Sequence, residues 1–161
     1  MERLVWTDSF DTGIAEVDNQ HKQIIDYCNQ LCDAHAKNDR IAVGEVIEGL
    51  VEYTLSHFAF EESLMEEVAY PFAKAHKKIH EMFVKRVAAF QGQFKEGQEI
   101  TEEFYTLLRR WLIQHIQRDD MAYSIPVKTG MHLLEQPQVE EQTATTKESW
   151  LNRALKKFFR R

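Results

Sequence analysis

Four stretches of the chain repeat apolar residues at every third or fourth position, which is the spacing of an amphipathic helix. The first covers residues 18–36 and the second covers residues 41–66. The third, residues 71–90, begins at a proline, which suits the first turn of a helix. The fourth opens with acidic residues directly after Thr101 and is expected to end before Pro126.

The connections between these four helices are short, so each helix is expected to run antiparallel to the one before it. The predicted fold is all-α, an antiparallel up-down-up-down four-helix bundle. Three prolines and six glycines provide too few turn signals for a many-stranded sandwich or barrel. Asp18 is the expected N-cap of the first helix.

Charge is distributed unevenly along the chain. The formal net charge is −6, yet residues 150–161 carry five basic side chains and no acidic one. The rest of the chain is therefore strongly acidic, which argues against a general nucleic-acid binder. We expect a bundle domain over residues 1–134, a polar linker over residues 135–146 and an additional basic amphipathic helix over residues 147–161.

The additional C-terminal helix begins at Thr145-Thr146-Lys147-Glu148, which has the form of a capping box. In helical projection one side of it is apolar and the other side is basic. The apolar side contains Trp150, Leu151, Leu155, Phe158 and Phe159. The basic side contains Arg153, Lys156 and Lys157. Such a helix suits docking on its own bundle, on a partner protein or on an anionic membrane surface, and these alternatives stay open.

Signals of cellular location favour the cytoplasm. The N-terminus has no apolar stretch of signal-peptide length, and no window approaches the roughly 18 apolar residues of a membrane span. Cys28 and Cys32 do not make a disulfide framework and are expected to be buried as small hydrophobic residues. We expect a reduced cytoplasmic protein, located peripherally at the inner face of the membrane if the C-terminal helix binds lipid.

Histidines and acidic residues at helical spacing are the candidate functional residues. His57 and Glu61 are four residues apart, as are His76 and His80, so each pair projects from one face of its helix. The full candidate set is His21, His57, Glu61, His76, His80, His115 and Asp120. Burying so many histidines and acids in a bundle is costly unless cations satisfy them together.

The ligand types narrow the choice of metal. Imidazole with carboxylate suits iron, zinc, copper or nickel, and the lack of thiolate ligands removes most structural zinc and iron–sulfur sites. Seven ligands exceed the usual number for one ion, so two ions are expected. No histidine follows a glutamate by three residues, unlike the Glu-x-x-His pairs of ferritin-type carboxylate proteins.

Several motifs, in their order along the chain, resemble those of the hemerythrin family, especially its bacterial branch. The motifs are Trp6-Thr7-Asp8-Ser9-Phe10, Asp18-x-Gln20-His21-Lys22, His57-Phe58-x-x-Glu61, Tyr70-Pro71, His76-x-x-x-His80 and Trp111-Leu112-x-x-His115-x-x-x-x-Asp120-x-x-Tyr123. The resemblance extends over residues 6–126 and does not include the C-terminal helix.

The resemblance implies a cofactor of two non-haem iron ions joined by an oxo or hydroxo bridge. By position, one ion is expected at His76, His80 and His115, the other at His21 and His57, and both at the bridging Glu61 and Asp120. The second ion, with one histidine fewer, keeps an open position for O2. The expected apolar O2 pocket consists of Ile24, Phe58, Trp111, Leu112 and Ile116.

The five-residue separation of His115 and Asp120 does not fit a regular α-helix, in which Asp119 would be the better partner of His115. We therefore expect the fourth helix to end or to be distorted near Arg118, with Asp119 as a solvated neighbour of the centre.

Three functions remain open after the resemblance is considered. The leading one is reversible O2 binding for carriage, storage or delivery. The second is an oxygen- or redox-sensing module that acts through the C-terminal helix. The third is a di-iron enzyme that acts on peroxide or nitric oxide.

Overall fold

The structure is a computed structural model that describes residues 1–135, with side chains through His132. The predicted linker and basic helix lie outside the described residues. So do all the predicted docking residues, which are Trp150, Leu151, Arg153, Leu155, Lys156, Lys157, Phe158 and Phe159. A single 3-10 turn, Asp8–Phe10, precedes the helices. The helices are α1 (Ala15–Ala36), α2 (Arg40–Glu67), α3 (Ala73–Lys95), α4 (Thr101–Gln114) and α5 (Met121–Glu135), and a π-helical segment (His115–Asp120) joins α4 to α5.

The four-helix bundle predicted from the sequence is confirmed. Helix α1 packs against α2 and α4, and α2 packs against α3. Within residues 1–135 the structure contains no β-strand. No helix in this part of the chain is long and apolar enough to cross a membrane.

The start of α1 differs from the sequence prediction. The helix begins at Ala15, so Asp18 lies inside its first turn and the N-cap position is Ile14. The buried Asp18 carboxylate accepts hydrogen bonds from the backbone N–H of Thr12 at 2.9 Å and from the Thr12 hydroxyl at 2.8 Å. Asp18 therefore ties the incoming loop to α1 instead of capping the helix.

Two further helix starts follow from local chemistry. Asp39 is the N-cap of α2, and its side chain accepts a hydrogen bond from the backbone N–H of Ala42 at 3.0 Å. Helix α3 begins at Ala73, just after the turn that contains Pro71. The first three predicted helices thus exist, and their ends differ from the prediction by a few residues.

The prediction that the helical run from Thr101 ends before Pro126 was wrong, because the π-helical segment and α5 continue it to Glu135. Pro126 lies inside α5, although a proline in a helix interior costs about 3 kcal/mol. Tyr123 and Val127, on either side of it, are fully buried against Phe60 and Leu64 of α2. This packing outweighs the backbone cost and carries the helix past the proline.

The apolar core of the described residues forms two clusters, and α1 contributes to both. The larger cluster includes Ile24 and Leu31 of α1, and the smaller one includes Val17 of the same helix. His21 therefore lies in α1 between residues of the two clusters. Cys28 and Cys32 are buried free cysteines, as predicted.

Candidate metal centre

The structure brings all seven predicted metal ligands together inside the bundle. Each is at most 4% exposed. They come from α1, α2, α3 and the π-helical segment. The seven residues are His21, His57, Glu61, His76, His80, His115 and Asp120.

Six of these residues form two groups that share the carboxylate of Glu61. One group is Glu61 with His76, His80 and His115, and the other is Glu61 with His21 and His57. Within each group the ligand atoms all lie within 4.8 Å of one another. We call these the three-histidine group and the two-histidine group.

Glu61 directs one oxygen to each group. Its Oε1 lies 3.4 Å from Nε2 of His57 and 3.8 Å from Nε2 of His21. Its Oε2 lies 3.2 Å from Nε2 of His80 and 3.8 Å from Nε2 of His76. A carboxylate whose two oxygens face different histidine groups is suited to bridge two cations.

The two carboxylate oxygens of Asp120 also face different histidine groups. Its Oδ2 lies 3.2 Å from Nε2 of His21, in the two-histidine group. Its Oδ1 lies 3.4 Å from Nε2 of His76 and 3.2 Å from Nε2 of His115, in the three-histidine group. Two buried carboxylates therefore span the same pair of histidine groups.

Several buried polar atoms of this cluster have no hydrogen-bond partner, which shows whether the cluster suits metal ions. Both ring nitrogens of His21, Oε2 of Glu61, Nε2 of His76 and both carboxylate oxygens of Asp120 are buried without a hydrogen-bond partner. Burial raises the pKa of Asp120 well above its usual range and lowers the pKa of His57 to about 3. Protein groups alone leave these donors and acceptors unsatisfied, whereas two cations between the groups would satisfy all of them except Nδ1 of His21. An imidazole that binds a metal ion through Nε2 keeps its proton on Nδ1.

Two histidines are oriented by polar side chains that the sequence analysis missed. Nδ1 of His57 lies 2.8 Å from Oε1 of Gln20, and Nδ1 of His80 lies 3.1 Å from Oε1 of Glu62. Glu62 also accepts a hydrogen bond from Lys77 at 2.7 Å. A histidine that donates from Nδ1 leaves Nε2 free for a metal ion, so these contacts favour the ligating tautomer. Their positions in the sequence could have suggested this role, because Gln20 and Glu62 are each adjacent to a predicted ligand.

The π-helical segment explains how His115 and Asp120 meet. The predicted distortion near Arg118 is confirmed, since residues 115–120 follow i→i+5 hydrogen bonding. Asp120 thereby reaches Nε2 of His115 while Asp119 reaches Nδ1 of the same ring at 3.1 Å. The Asp119 side chain is 30% exposed. Asp119 is therefore a hydrogen-bonding partner of a candidate ligand, which corrects its description as a merely solvated neighbour.

A buried tyrosine adds one more contact that the sequence analysis did not predict. The hydroxyl of Tyr123 donates a hydrogen bond of 2.6 Å to Oε1 of Glu61. Burial raises the pKa of Tyr123 well above its ordinary value, so the phenol keeps its proton and remains a donor.

Two of the five predicted pocket residues stack on candidate ligands. Phe58 stacks on His80 with ring centroids 3.8 Å apart, and Trp111 stacks on His115 at 4.2 Å. Trp111 is half-buried and Phe58 is buried. The remaining predicted pocket residues, all buried in the larger core cluster, are Ile24, Leu112 and Ile116.

Comparison with known proteins identifies the family. Residues 12–124 match the family described as the Hemerythrin HHE cation binding domain. The chain belongs to the hemerythrin family. That span contains all seven candidate ligands, and the family confirms the resemblance found in the sequence. As a hemerythrin, the protein binds O2 at a non-haem di-iron centre, and the buried cluster of histidines and carboxylates is suited to hold the two ions.

Bacterial hemerythrins of two lengths are similar to this hemerythrin. A bacteriohemerythrin of Pseudomonas aeruginosa is 46% identical over 159 residues, which cover 99% of each chain. A bacteriohemerythrin of Methylococcus capsulatus is 34% identical over 125 residues, which cover 76% of this chain and 95% of the relative. The match to the first therefore continues into the C-terminal region, beyond the residues of the sequence resemblance.

Solved structures support the same conclusion. The crystal structure of a wild-type hemerythrin aligns with a TM-score of 0.75 and 32% sequence identity. The alignment covers 78% of this chain and 98% of that chain. The bundle is thus a hemerythrin bundle in topology as well as in sequence.

Proposed function

We propose that this hemerythrin binds O2 reversibly for carriage, storage or delivery, and that seven residues divide between its two iron ions. One ion is held by His76, His80 and His115, the other by His21 and His57, and both by the bridging Glu61 and Asp120. The observation that carries this assignment is the division of each carboxylate, with one oxygen facing each histidine group. When bound, the two iron ions supply the redox chemistry by which O2 is held.

The unequal histidine groups determine where O2 is expected to bind. The two-histidine group supplies one protein ligand fewer, so the free coordination position belongs to that side. Ile24, three residues after His21 in α1, belongs to the larger core cluster, and apolar side chains of this kind would exclude water from the position. Gln20 orients His57, and Tyr123 fixes the Glu61 oxygen that faces the same group. These contacts keep the ligand geometry constant while O2 arrives and leaves.

Reversible binding is favoured over an enzyme acting on peroxide or nitric oxide. Among the side chains that the structure describes, no lysine, serine or cysteine is seen to form a hydrogen bond or ion pair with any of the seven candidate ligands. Lys77 binds Glu62, which in turn contacts His80. The Tyr123 hydroxyl is held by Glu61 and keeps its proton. This leaves no side chain poised to donate a proton to a bound ligand and complete a reaction.

Spectroscopy of the iron-loaded protein tests this proposal. We expect two iron ions per chain, and visible absorption bands that appear when the reduced protein meets O2 and disappear on degassing. His115→Ala should lose an ion and the bands, whereas His35→Ala, outside the centre, should retain both. One ion per chain, or irreversible oxidation with turnover of added peroxide or nitric oxide, would contradict the proposal.

We further propose that residues 147–161, which the sequence predicts to form a basic amphipathic helix, attach the bundle to an anionic membrane surface or a partner protein. This proposal is supported by the sequence of residues 147–161, whose apolar and basic residues fall on opposite sides of a helical projection. Co-sedimentation of the full chain with anionic vesicles tests the membrane version, with Lys156→Glu/Lys157→Glu as the weakened variant. Equal recovery of both proteins in the supernatant excludes it. A partner contact that changes with oxygenation would instead support the sensing function.

A further inference from the structure

A cavity of about 140 Å³ lies between α2, α3 and α4. Its buried lining includes Thr54, Phe83, Phe104 and Leu108. Leu55, which is 46% exposed, and the exposed Ala88 also line it, so the cavity opens to solvent between α2 and α3. It is not part of the metal centre, since none of the seven candidate ligands lines it.

The hydroxyl of Thr54 is the one feature of this lining that the fold does not explain. Thr54 is only 7% exposed, and its Oγ1 has no hydrogen-bond partner. A threonine hydroxyl inside a helix often bonds the carbonyl one turn earlier, and this one does not. Outside the metal centre, Nε of Arg109 is the only other buried polar side-chain atom without a partner in the described part of the chain.

Aromatic rings connect the cavity to the metal centre. Phe83, in the cavity lining, stacks on Trp111 with centroids 3.8 Å apart and meets the edge of Phe58 at 6.1 Å. Trp111 and Phe58 stack in turn on candidate ligands, His115 and His80. Only one layer of rings therefore separates Phe83 from the ligands. Thr54 precedes Phe58 by one helical turn, so the two side chains share a face of α2.

We propose that this cavity is a docking site for one small apolar gas molecule, O2 in the working protein, on its route between solvent and the di-iron centre. The inference rests on the proposed function. A cavity of this size accommodates a diatomic molecule, and an apolar cavity of comparable size is known to stay dry and to bind xenon. The lining favours O2 over water because a bound water needs two to four polar partners, whereas eight of the ten lining residues are apolar. The two polar residues are the buried Thr54 and the half-buried Gln91.

The same geometry assigns roles to the residues around the cavity. Leu55 and Ala88 form the entrance, and the Thr54 hydroxyl is the buried polar group in the lining. Phe83 and Phe58 form the inner barrier, because their rings must turn before a molecule passes toward the histidines. The docking site thus limits how fast O2 reaches the centre and leaves its equilibrium affinity unchanged.

Xenon binding tests the site independently of O2 binding. Crystals of the full chain, iron-loaded and oxidised, are pressurised with xenon, and anomalous density is expected beside Thr54 and Phe83. Ala88→Trp fills the entrance and should abolish this density. Ala89→Trp is the matched control, because Ala89 is the next residue of α3, is exposed and does not line the cavity. Density that persists in Ala88→Trp, or that is absent from the parent protein, overturns the proposal.

Stopped-flow mixing of the reduced protein with O2 tests the route. Ala88→Trp should slow O2 association several-fold and slow dissociation equally, whereas Ala89→Trp should match the parent protein. Equal association rates in the two variants overturn the docking route. If O2 fails to bind the parent protein while xenon still occupies the cavity, the proposed function fails and the gas site stands.

Discussion

Tyr123 donates a hydrogen bond of 2.6 Å from its buried hydroxyl to Oε1 of Glu61, the carboxylate that both histidine groups share. The same oxygen faces His57 and His21. The hydroxyl therefore fixes the side of Glu61 that belongs to the two-histidine group, where one coordination position is expected to stay free.

Replacement of Tyr123 by phenylalanine should weaken iron binding. Loss of an outer hydrogen bond to a metal ligand typically costs about 10- to 100-fold in metal affinity. We expect Tyr123→Phe to fold and to lose iron to a competing chelator correspondingly faster than the parent protein. Tyr70→Phe is the control, because Tyr70 packs against the smaller core cluster and belongs to neither ligand group. Equal chelator resistance in all three proteins would refute the role of the Tyr123 hydroxyl.

Asp119 provides a second test, in which two substitutions should differ. Asp119→Asn keeps an oxygen that can accept from Nδ1 of His115, so it should retain both iron ions. Asp119→Ala removes that acceptor and should reduce iron affinity by about 10- to 100-fold. Iron per chain after dialysis against a chelator measures both effects. Gln117→Ala, on the exposed side of the same π-helical segment, should behave as the parent protein.

Part of the centre could be predicted from the sequence because helical spacing determines it. Residues four positions apart lie on one face of a helix regardless of the tertiary fold, as His57 and Glu61 do, and likewise His76 and His80. The position of Asp120 needed the family resemblance as well, since a regular helix would present Asp119 to the same point.

The outer hydrogen bonds could not be predicted in this way. Gln20 contacts His57 across 37 positions of the sequence, and Glu62 contacts His80 across 18. Each contact depends on how two helices are rotated against each other, which the apolar periodicity of either helix leaves open. The prediction of a helix end before Pro126 was wrong for a related reason. The tertiary packing of Tyr123 and Val127 outweighs the local tendency of proline to end a helix.

The iron-free protein should lose stability in acid. Burial lowers the pKa of His57 from its usual 6.5 to about 3. Between these values the unfolded chain carries a proton on this ring and the folded chain does not, so the free energy of unfolding falls as the pH drops through that window. One such proton corresponds to about 1.4 kcal/mol per pH unit.

Urea denaturation at several pH values measures this effect. The raised pKa of Asp120 acts in the opposite direction, because the folded chain then keeps a proton that the unfolded chain releases above its ordinary pKa. A variant is therefore needed to isolate the histidine. His57→Gln should reduce the acid dependence between pH 6.5 and 3 by up to one proton, and an unchanged slope would contradict the assignment.

Gly130 tests whether the helix that passes Pro126 packs as described. A glycine-to-alanine change inside a helix ordinarily stabilises it by about 0.5–1 kcal/mol. A Cβ at Gly130 would instead lie 2.4 Å from Cγ1 of Val68, so Gly130→Ala should destabilise the protein by about 1–3 kcal/mol. Gly92 is the matched control, because nothing lies within 4 Å of its Cβ position in α3, and Gly92→Ala should stabilise. Urea denaturation of the iron-free variants gives the free energies of unfolding.

The origin of the Gly130 effect can be checked in the double variant. Val68→Ala removes Cγ1, the closest atom to the new Cβ, and leaves only the Val68 Cβ at 2.9 Å. Adding Gly130→Ala to Val68→Ala should therefore cost much less than adding it to the parent protein, which gives a favourable coupling energy in the double-mutant cycle. Additive effects would mean that α5 does not approach the end of α2 at Gly130, and the packing that carries the helix past Pro126 would then need another explanation.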